Sequence, residues 1–533
     1  MSKLIVKKSV IIVNDYRLGD CLKLEDNFTI FDPIYHTYNY MGLYYDEENE
    51  RLYLPRGIDV WYVEKLLNTE AVFDDTIDPY DEIGNVMLKY KPRDDRQETA
   101  LQFMLGQSVQ FRQNKYKPQL SVNLPTGAGK TYCAIASFSF LQERCAVITS
   151  SISWLDQWKK CILDYTNLQS NEIYMISGVG SVLRLLNKGD VSQYKVFLVS
   201  LATLRSYGDK EGWEQVHELF KAMRIGIKFY DEAHLNFSAM SMVDYFSSTK
   251  KTYYLTASPA RSNKDENRIF QLYFKNIPSI DLFDYAEDPH TRYVCIKYNS
   301  EPTPQQISKT RNKYGLDRNA YTNYIVKQDN YYKLLTILLK IALNQQGKTL
   351  IYIGTQNAID TTYDWIINNY PELEGNVGVF TSKTEGNKMA ELDKRIILST
   401  VKSCGAAVDI KGLKLTILLA EPFKSEVQTI QTFGRTRDKD TMYIEVVDLA
   451  FKQITGFYYK KKPIIEKYAL SMDEIKIDKY ELEERYQTIL EERKPFEPKL
   501  YEPITFSNFP LGPREYIYFV EDKNQLIEGI WFE

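Results

Sequence analysis

Short apolar runs recur along this chain between longer stretches whose apolar positions fall at helical spacing, and that alternation predicts strands and helices in turn. Between residues 94 and 288, candidate strands at 146–149, 196–200, 227–230 and 253–256 alternate with helical patterns. Strands separated by helices imply a parallel sheet with helices on both faces. After a proline-rich segment at 301–306 the pattern repeats, with a helical run at 331–343 leading into strands at 349–353, 396–399, 415–420 and 442–447. The fold class read from this pattern is α/β, with two parallel-sheet domains in series.

The flanks read differently. Residues 1–88 hold β-like runs at 9–13 and 27–30 and a hairpin in which 43–45 and 51–54 flank Asp46-Glu47-Glu48-Asn49-Glu50, as expected of a small β-rich domain. The acidic stretch 74–84 reads as its outgoing linker. Residues 472–494 are strongly charged and helical in pattern. Prolines 495, 498, 503, 510 and 513 punctuate the C-terminal segment, with a terminal hairpin expected at 516–520 and 526–532. The expected division is therefore 1–88, 89–290, a linker at 291–318, 319–450, and a helical extension with a proline-punctuated tail at 451–533.

Composition narrows the class without naming a function. At 533 residues the chain is too long for one ordinary core. No apolar run approaches the ~20 residues of a membrane span, and Lys3, Lys7 and Lys8 are separated by only short apolar groups, so no signal peptide is read. The expectation is a soluble, cytoplasmic protein with no membrane partner. Six cysteines without Cys-x-x-Cys spacing argue against a zinc ribbon or a disulfide framework, and with only four histidines magnesium is the one metal expected. The net charge of −4 does not oppose nucleic-acid binding, which needs a local basic stripe. Arg112, Lys115 and Lys117, then Lys309, Arg311 and Lys313, and Lys460-Lys461-Lys462 are candidates that fit a solvated face equally well.

Two motifs carry chemistry. Leu124-Pro125-Thr126-Gly127-Ala128-Gly129-Lys130-Thr131 comes after a strand and opens a helix-capable run at 132–141. Its glycines let backbone N–H groups approach phosphate oxygens at a helix N-terminus, Lys130 brings an ammonium to the β- and γ-phosphates, and the Thr131 hydroxyl suits Mg²⁺. Asp231-Glu232-Ala233-His234 comes after the strand at 225–230, which sets the carboxylates at a strand's C-terminal end, where open α/β sheets place ligands. Asp231 can hold the same magnesium and Glu232 can orient an attacking water. Together they imply binding and hydrolysis of ATP. In the second domain, Gln428-Thr429-Ile430-Gln431-Thr432-Phe433-Gly434-Arg435-Thr436-Arg437 offers guanidinium groups for the γ-phosphate, which would tie hydrolysis to domain closure.

In order over 96–438, the chain resembles the superfamily two helicases and translocases, whose motor domains are RecA-like. The resemblance implies that Gln97 contacts adenine, and that Thr126, Gly127, Ala128, Gly129, Lys130 and Thr131 form the phosphate loop. It implies that Val147-Ile148-Thr149-Ser150 leading to Trp154 and Gln157-Trp158, and then Ser200-Leu201-Ala202-Thr203, hold nucleic-acid phosphates. Leu255-Thr256-Ala257-Ser258-Pro259 resembles the motif that couples nucleotide state to the strand, through His234, Thr256 and Ser258. Residues 352–355 and then Ser399-Thr400 through Asp409 resemble second-domain motifs, with Thr400 on the strand and Asp409 sensing nucleotide.

Two positions depart from the family pattern. Ala407 stands where glycine is usual ahead of Val408-Asp409, and Asp438 stands where the closing motif has its last arginine, so the arginine finger is Arg435 or Arg437. The β-rich N-terminal region with Leu54-Pro55-Arg56-Gly57 and the two compact motors are most similar to the phage UvsW-like helicases. That likeness implies single-stranded or branched DNA as partner, DNA recognition by residues 1–88, roles in recombination or replication, and the cytoplasm of a bacterial host. Trp154, Trp158 and Tyr132 read as core. An RNA-directed or transcription-terminating motor and an ATP-gated nucleic-acid clamp are the alternative readings, and residues 495–533 are a candidate attachment for a protein partner.

Overall fold

The computed structural model describes residues 3–16, 18–32, 37–125, 127–256, 264–282, 290–313, 315–384, 388–404, 410–435 and 440–492. Contacts divide the chain into two compact units whose boundary in the sequence falls between residues 285 and 286.

In the first unit a seven-stranded sheet runs in the order Ile173–Ile176, Val196–Ser200, Cys145–Thr149, Ile227–Asp231, Lys251–Thr256, Gln119–Asn123 and Ser279–Asp281. Every pairing in it is parallel. The central strands are buried along their whole length, as expected where helices cover both faces. Alternate residues feed two cores: Val147, Leu198, Phe229 and Tyr253 face one, and Ile148, Val199, Tyr230 and Tyr254 the other.

The N-terminal sheet has five strands, in the order Tyr44–Asp46, Arg51–Pro55, Val10–Asn14, Lys3–Val6 and Ala71–Phe73. The expected hairpin forms, with Tyr45 opposite Leu52. The strand expected at 27–30 starts later: Asn27 and Phe28 end the helix Leu18–Phe28, and the strand is Thr29–Asp32. This sheet shares its core with the first motor sheet. Leu4, Ile11 and Leu54 belong to the same apolar cluster as Phe237, Ile269 and Tyr273, and a Cβ on Gly57 would lie 1.7 Å from the Tyr273 carbonyl oxygen. Residues 74–84, expected as a linker, are fastened to the same unit, Asp81 to Arg144 at 2.6 Å and to Arg224 at 2.7 Å.

The second unit holds another all-parallel seven-stranded sheet, in the order Val377–Phe380, Ile396–Ser399, Lys348–Ile353, Leu413–Ala420, Thr441–Asp448, Thr291–Tyr298 and Ser471–Lys476. Thr291–Tyr298 lies where a linker was expected. Its Tyr293, Cys295, Ile296 and Tyr298 are buried. Ser471–Lys476, within the region expected to be helical, is an edge strand leading into the helix Lys479–Glu491. The two sheets define tandem RecA-like domains. Among the described residues, no helix is long and apolar enough to cross a membrane.

Candidate nucleotide and nucleic-acid site

The phosphate-loop segment leaves the strand Gln119–Asn123 and enters the helix Lys130–Leu141. Gly129 caps that helix at φ +95°, a conformation that favours glycine, and a Cβ there would lie 2.0 Å from Gln97 Nε2 and displace that side chain. Gln97 lies in the helix Asp95–Leu105, capped by Asp94. Its side-chain amide donates to the Ala128 carbonyl at 3.2 Å and accepts from the Arg93 N–H at 2.8 Å. The structure thus brings Gln97, Gly127, Ala128, Gly129, Lys130 and Thr131 to one strand end.

Asp231 and Glu232 sit two strands away, at the same edge of the sheet. Lys130 Nζ donates to the Leu124 carbonyl at 3.3 Å and lies 3.4 Å from Glu232 Oε1. Glu232 adopts φ +51°, a left-handed conformation costing a non-glycine residue about 1–2 kcal/mol. Both carboxylates are buried. Burial and the adjacent Glu232 charge push the Asp231 carboxyl up to about 6, while Lys130 and a hydrogen bond from Trp158 act in the opposite direction. Two buried carboxylates thus share one ammonium. A hard divalent cation fits that excess of negative charge and the oxygen donors of Thr131 and Asp231. Among the described residues no group of three or more His, Cys, Asp or Glu side chains is placed to hold a metal ion.

His234 and Thr256 also meet. His234 Nδ1 is 2.8 Å from Thr256 Oγ1 and 3.4 Å from Glu232 Oε2, and all three side chains are buried. The Thr256 carbonyl accepts from the Leu124 N–H at 3.0 Å. A continuous set of contacts therefore joins the carboxylate turn, the neighbouring strand end and the start of the phosphate loop. The helices after these strand ends, Phe237–Tyr245 and Lys264–Phe274, are bonded to the N-terminal region: Tyr245 donates to the Gly42 carbonyl at 2.8 Å, and Arg268 donates to the Asn27 carbonyl at 2.7 Å.

Trp158, expected in the core, is buried, and its Nε1–H also donates to Asp231 Oδ2 at 2.8 Å. Its place four residues after Trp154 in a helical run gives no signal of that long-range contact.

Thr149 and Ser200 end adjacent strands and are paired in register. Both are fully buried: Thr149 Oγ1 donates to the Ser151 carbonyl at 2.9 Å, and Ser200 Oγ makes no hydrogen bond among the described residues. Thr203 is buried one turn into the helix Leu201–Glu211. In the second unit Thr400 caps the helix Val401–Cys404 by accepting from the Ser403 N–H at 3.0 Å, and Arg435 is buried just after the helix Glu426–Phe433, its charge acting on Tyr352 and Cys404. Thr126, Ser258, Asp409, Arg437 and residues 495–533 lie outside the described residues. Of the basic candidates, Lys460-Lys461-Lys462 is not a free stripe: Lys461 is buried against Glu445 and Lys462 pairs with Glu474 at 2.8 Å. Arg112, Lys115 and Lys117, and Lys309, Arg311 and Lys313, are exposed.

Two parallel sheets of this build, one with a phosphate loop and an Asp-Glu-Ala-His turn side by side, are similar to the arrangement of the superfamily two helicase-type nucleotide-dependent ATPases. Residues 89–261 match the family model for the type III restriction enzyme res subunit. The chain is 24% identical over 233 residues to a putative DNA 3'-5' helicase Rad25 of Haloarcula marismortui, a match covering 43% of this chain and 34% of the relative. It is 28% identical over 151 residues to the DNA 3'-5' helicase XPB of Mycobacterium tuberculosis, covering 28% of this chain and 25% of that protein. The matched stretches thus span about a third or less of these relatives' own lengths. Among solved structures, T4 UvsW aligns with 89% of this chain and 99% of its own at 14% identity and a TM-score of 0.33.

Proposed function

We propose that this protein is an ATP-driven DNA motor that remodels branched DNA during recombination or replication, in the cytoplasm. The observation that carries the motor reading is the run of contacts from Lys130 through Glu232 and His234 to Thr256, which links the phosphate loop to the strand end beside the carboxylates. The relatives named as DNA helicases support DNA as the track. The choice of branched DNA rests on likeness to the UvsW-like helicases, an analogy of family rather than of site.

Bound MgATP supplies the phosphoryl group and the charge-neutralising cation. The loop from Thr126 to Gly129 cradles phosphate through backbone N–H groups, and Lys130 neutralises it. Thr131 and Asp231 would hold magnesium. Gln97 reads the base. Glu232 orients the attacking water, and Arg435 or Arg437 stabilises charge on the transferring group, with Asp409 sensing nucleotide. His234, Thr256 and Ser258 pass nucleotide state to the strand-binding face. Thr149, Ser200, Thr203 and Thr400 stand at strand ends and helix starts and are proposed to mark the face that holds phosphates without reading bases; because the Thr149 and Ser200 hydroxyls are fully buried, contact at those two positions would come from neighbouring backbone groups. Residues 1–88 are proposed to recognise DNA, and residues 495–533 to engage a protein partner.

Steady-state ATP hydrolysis at one salt concentration, with no nucleic acid, single-stranded DNA, duplex, a four-way junction and matched RNA, tests the reading. Greatest stimulation by the junction supports it. Stimulation by RNA alone replaces DNA with a 2′-hydroxyl-bearing track, and no stimulation by any of them leaves the clamp.

A further inference from the structure

The helix Ile152–Tyr165 joins two parts of the first unit that the motifs treat separately. It starts directly after the strand Cys145–Thr149, and Thr149 Oγ1 pins its entry by donating to the Ser151 carbonyl at 2.9 Å. Its first turn reaches solvent at Ile152, which is 48% exposed. Six residues on, Trp158 is buried with its Nε1–H on Asp231 Oδ2 at 2.8 Å. Six residues of α-helix are about 9 Å of rise. One rigid element therefore has an accessible first turn beside Thr149 and, at its middle, a buried side chain on the carboxylate assigned to magnesium.

The chemistry of that buried contact is specific. An indole N–H is the ring's single donor, and a buried one normally finds a partner. Here the partner is a carboxylate oxygen, which constrains the orientation of the Asp231 side chain. Side-chain packing in a protein interior is dense enough to transmit displacement, and hydrogen bonds weaken steeply as their angle opens. A shift of the helix's first turn therefore reaches the Asp231 carboxylate through Trp158 with little intervening slack.

We propose that Trp158 is a positioning residue for the magnesium-binding carboxylate and that it transmits nucleic-acid occupancy at the start of its helix to Asp231. The inference rests on the reading of Asp231 as a magnesium ligand and of the Thr149 end of the sheet as the strand-binding face. It assigns to one hydrogen bond part of the stimulation that nucleic acid exerts on hydrolysis.

The test uses the full chain and equilibrium binding of the non-hydrolysable analogue AMP-PNP, measured by calorimetry in EDTA and in Mg²⁺, with and without oligo(dT). In the wild-type protein, oligo(dT) should increase the strengthening of AMP-PNP binding that Mg²⁺ confers while leaving the affinity in EDTA unaltered. That result needs no substitution, and its absence overturns the relay. Trp158→Phe, which keeps an aromatic ring and removes the donor, should cut the Mg²⁺-dependent strengthening at least fivefold with affinity in EDTA retained, and should abolish the oligo(dT) effect. A wild-type response to both Mg²⁺ and oligo(dT) in Trp158→Phe overturns the proposal. Asp231→Asn separates the two failures: if it too keeps the wild-type response to Mg²⁺, the metal assignment itself is wrong, whereas loss in Asp231→Asn with retention in Trp158→Phe removes Trp158 alone.

Discussion

His234 Nδ1 lies 2.8 Å from Thr256 Oγ1, a contact that closes the turn after one strand onto the end of the next. Because His234 also stands 3.4 Å from Glu232, a change at the carboxylate cannot be isolated from the neighbouring strand end. Coupling energies between sites typically amount to 1–3 kcal/mol. His234→Ala and Thr256→Val are therefore expected to lower the ratio of nucleic-acid-stimulated to basal ATP hydrolysis about tenfold. Equal loss of both rates would show that the pair only supports the fold.

Glu232→Gln removes a carboxylate from the pair that Lys130 faces and keeps the side chain's size. If Glu232 prepares the attacking water, turnover should fall about 10²–10⁴-fold while ATP and nucleic-acid binding persist. Normal turnover by this variant would remove the general-base role.

How much of this arrangement the sequence discloses depends on where the information lies. Buried parallel strands such as Val196–Ser200 and Ile396–Ser399 are apolar runs, so they are legible one by one, as are the phosphate loop and the Asp-Glu-Ala-His turn. Ser471–Lys476 is exposed along most of its length, and its charged pattern resembles that of the helix after it. Thr291–Tyr298 mixes polar and apolar residues and stands next to a proline-rich stretch. The Trp158–Asp231 contact spans 73 residues of sequence, so neither side chain reports it locally. The fusion of the N-terminal sheet to the motor through Gly57 and Tyr273 is hidden for the same reason.

That fusion has a consequence for truncation. Removing residues 1–88 would spare basal hydrolysis if they formed an independent module, but Leu4, Ile11 and Leu54 share one core with Phe237, Ile269 and Tyr273. The truncated chain should expose this apolar surface and aggregate. Soluble expression with a wild-type basal rate would contradict the shared core.

The helix Phe237–Tyr245, which supports that sheet, contains a buried charge network. Asp244 accepts from Lys228 at 2.6 Å and from the hydroxyls of Tyr230, Tyr254 and Tyr273, with both Lys228 and Asp244 fully buried. Breaking a buried ion pair on one side leaves an uncompensated charge and costs about 3–5 kcal/mol. Asp244→Ala should destabilise the first unit by that amount in chemical denaturation, and a loss under about 1 kcal/mol would mean that Lys228 gives up its proton, as its burial already favours.

Glu421 gives the second unit a pH dependence of determined sign. It comes directly after the strand Leu413–Ala420 and accepts from the Val401 N–H at 2.7 Å. Burial raises its carboxyl from 4.5 to about 7, against the opposing effects of that backbone bond and the Arg318 charge. The folded state therefore holds the proton more tightly than the unfolded state does. Its contribution to stability is fully present below about pH 4.5 and is lost as pH rises through about 7. A displacement of this size corresponds to about 3 kcal/mol, at ~1.4 kcal/mol per pH unit. Glu421→Gln cannot ionise, so the calorimetric transition of the second unit should lose this decline between pH 5 and 7 (roughly the span over which the linkage acts). An unchanged decline in the variant would assign the pH dependence to another group.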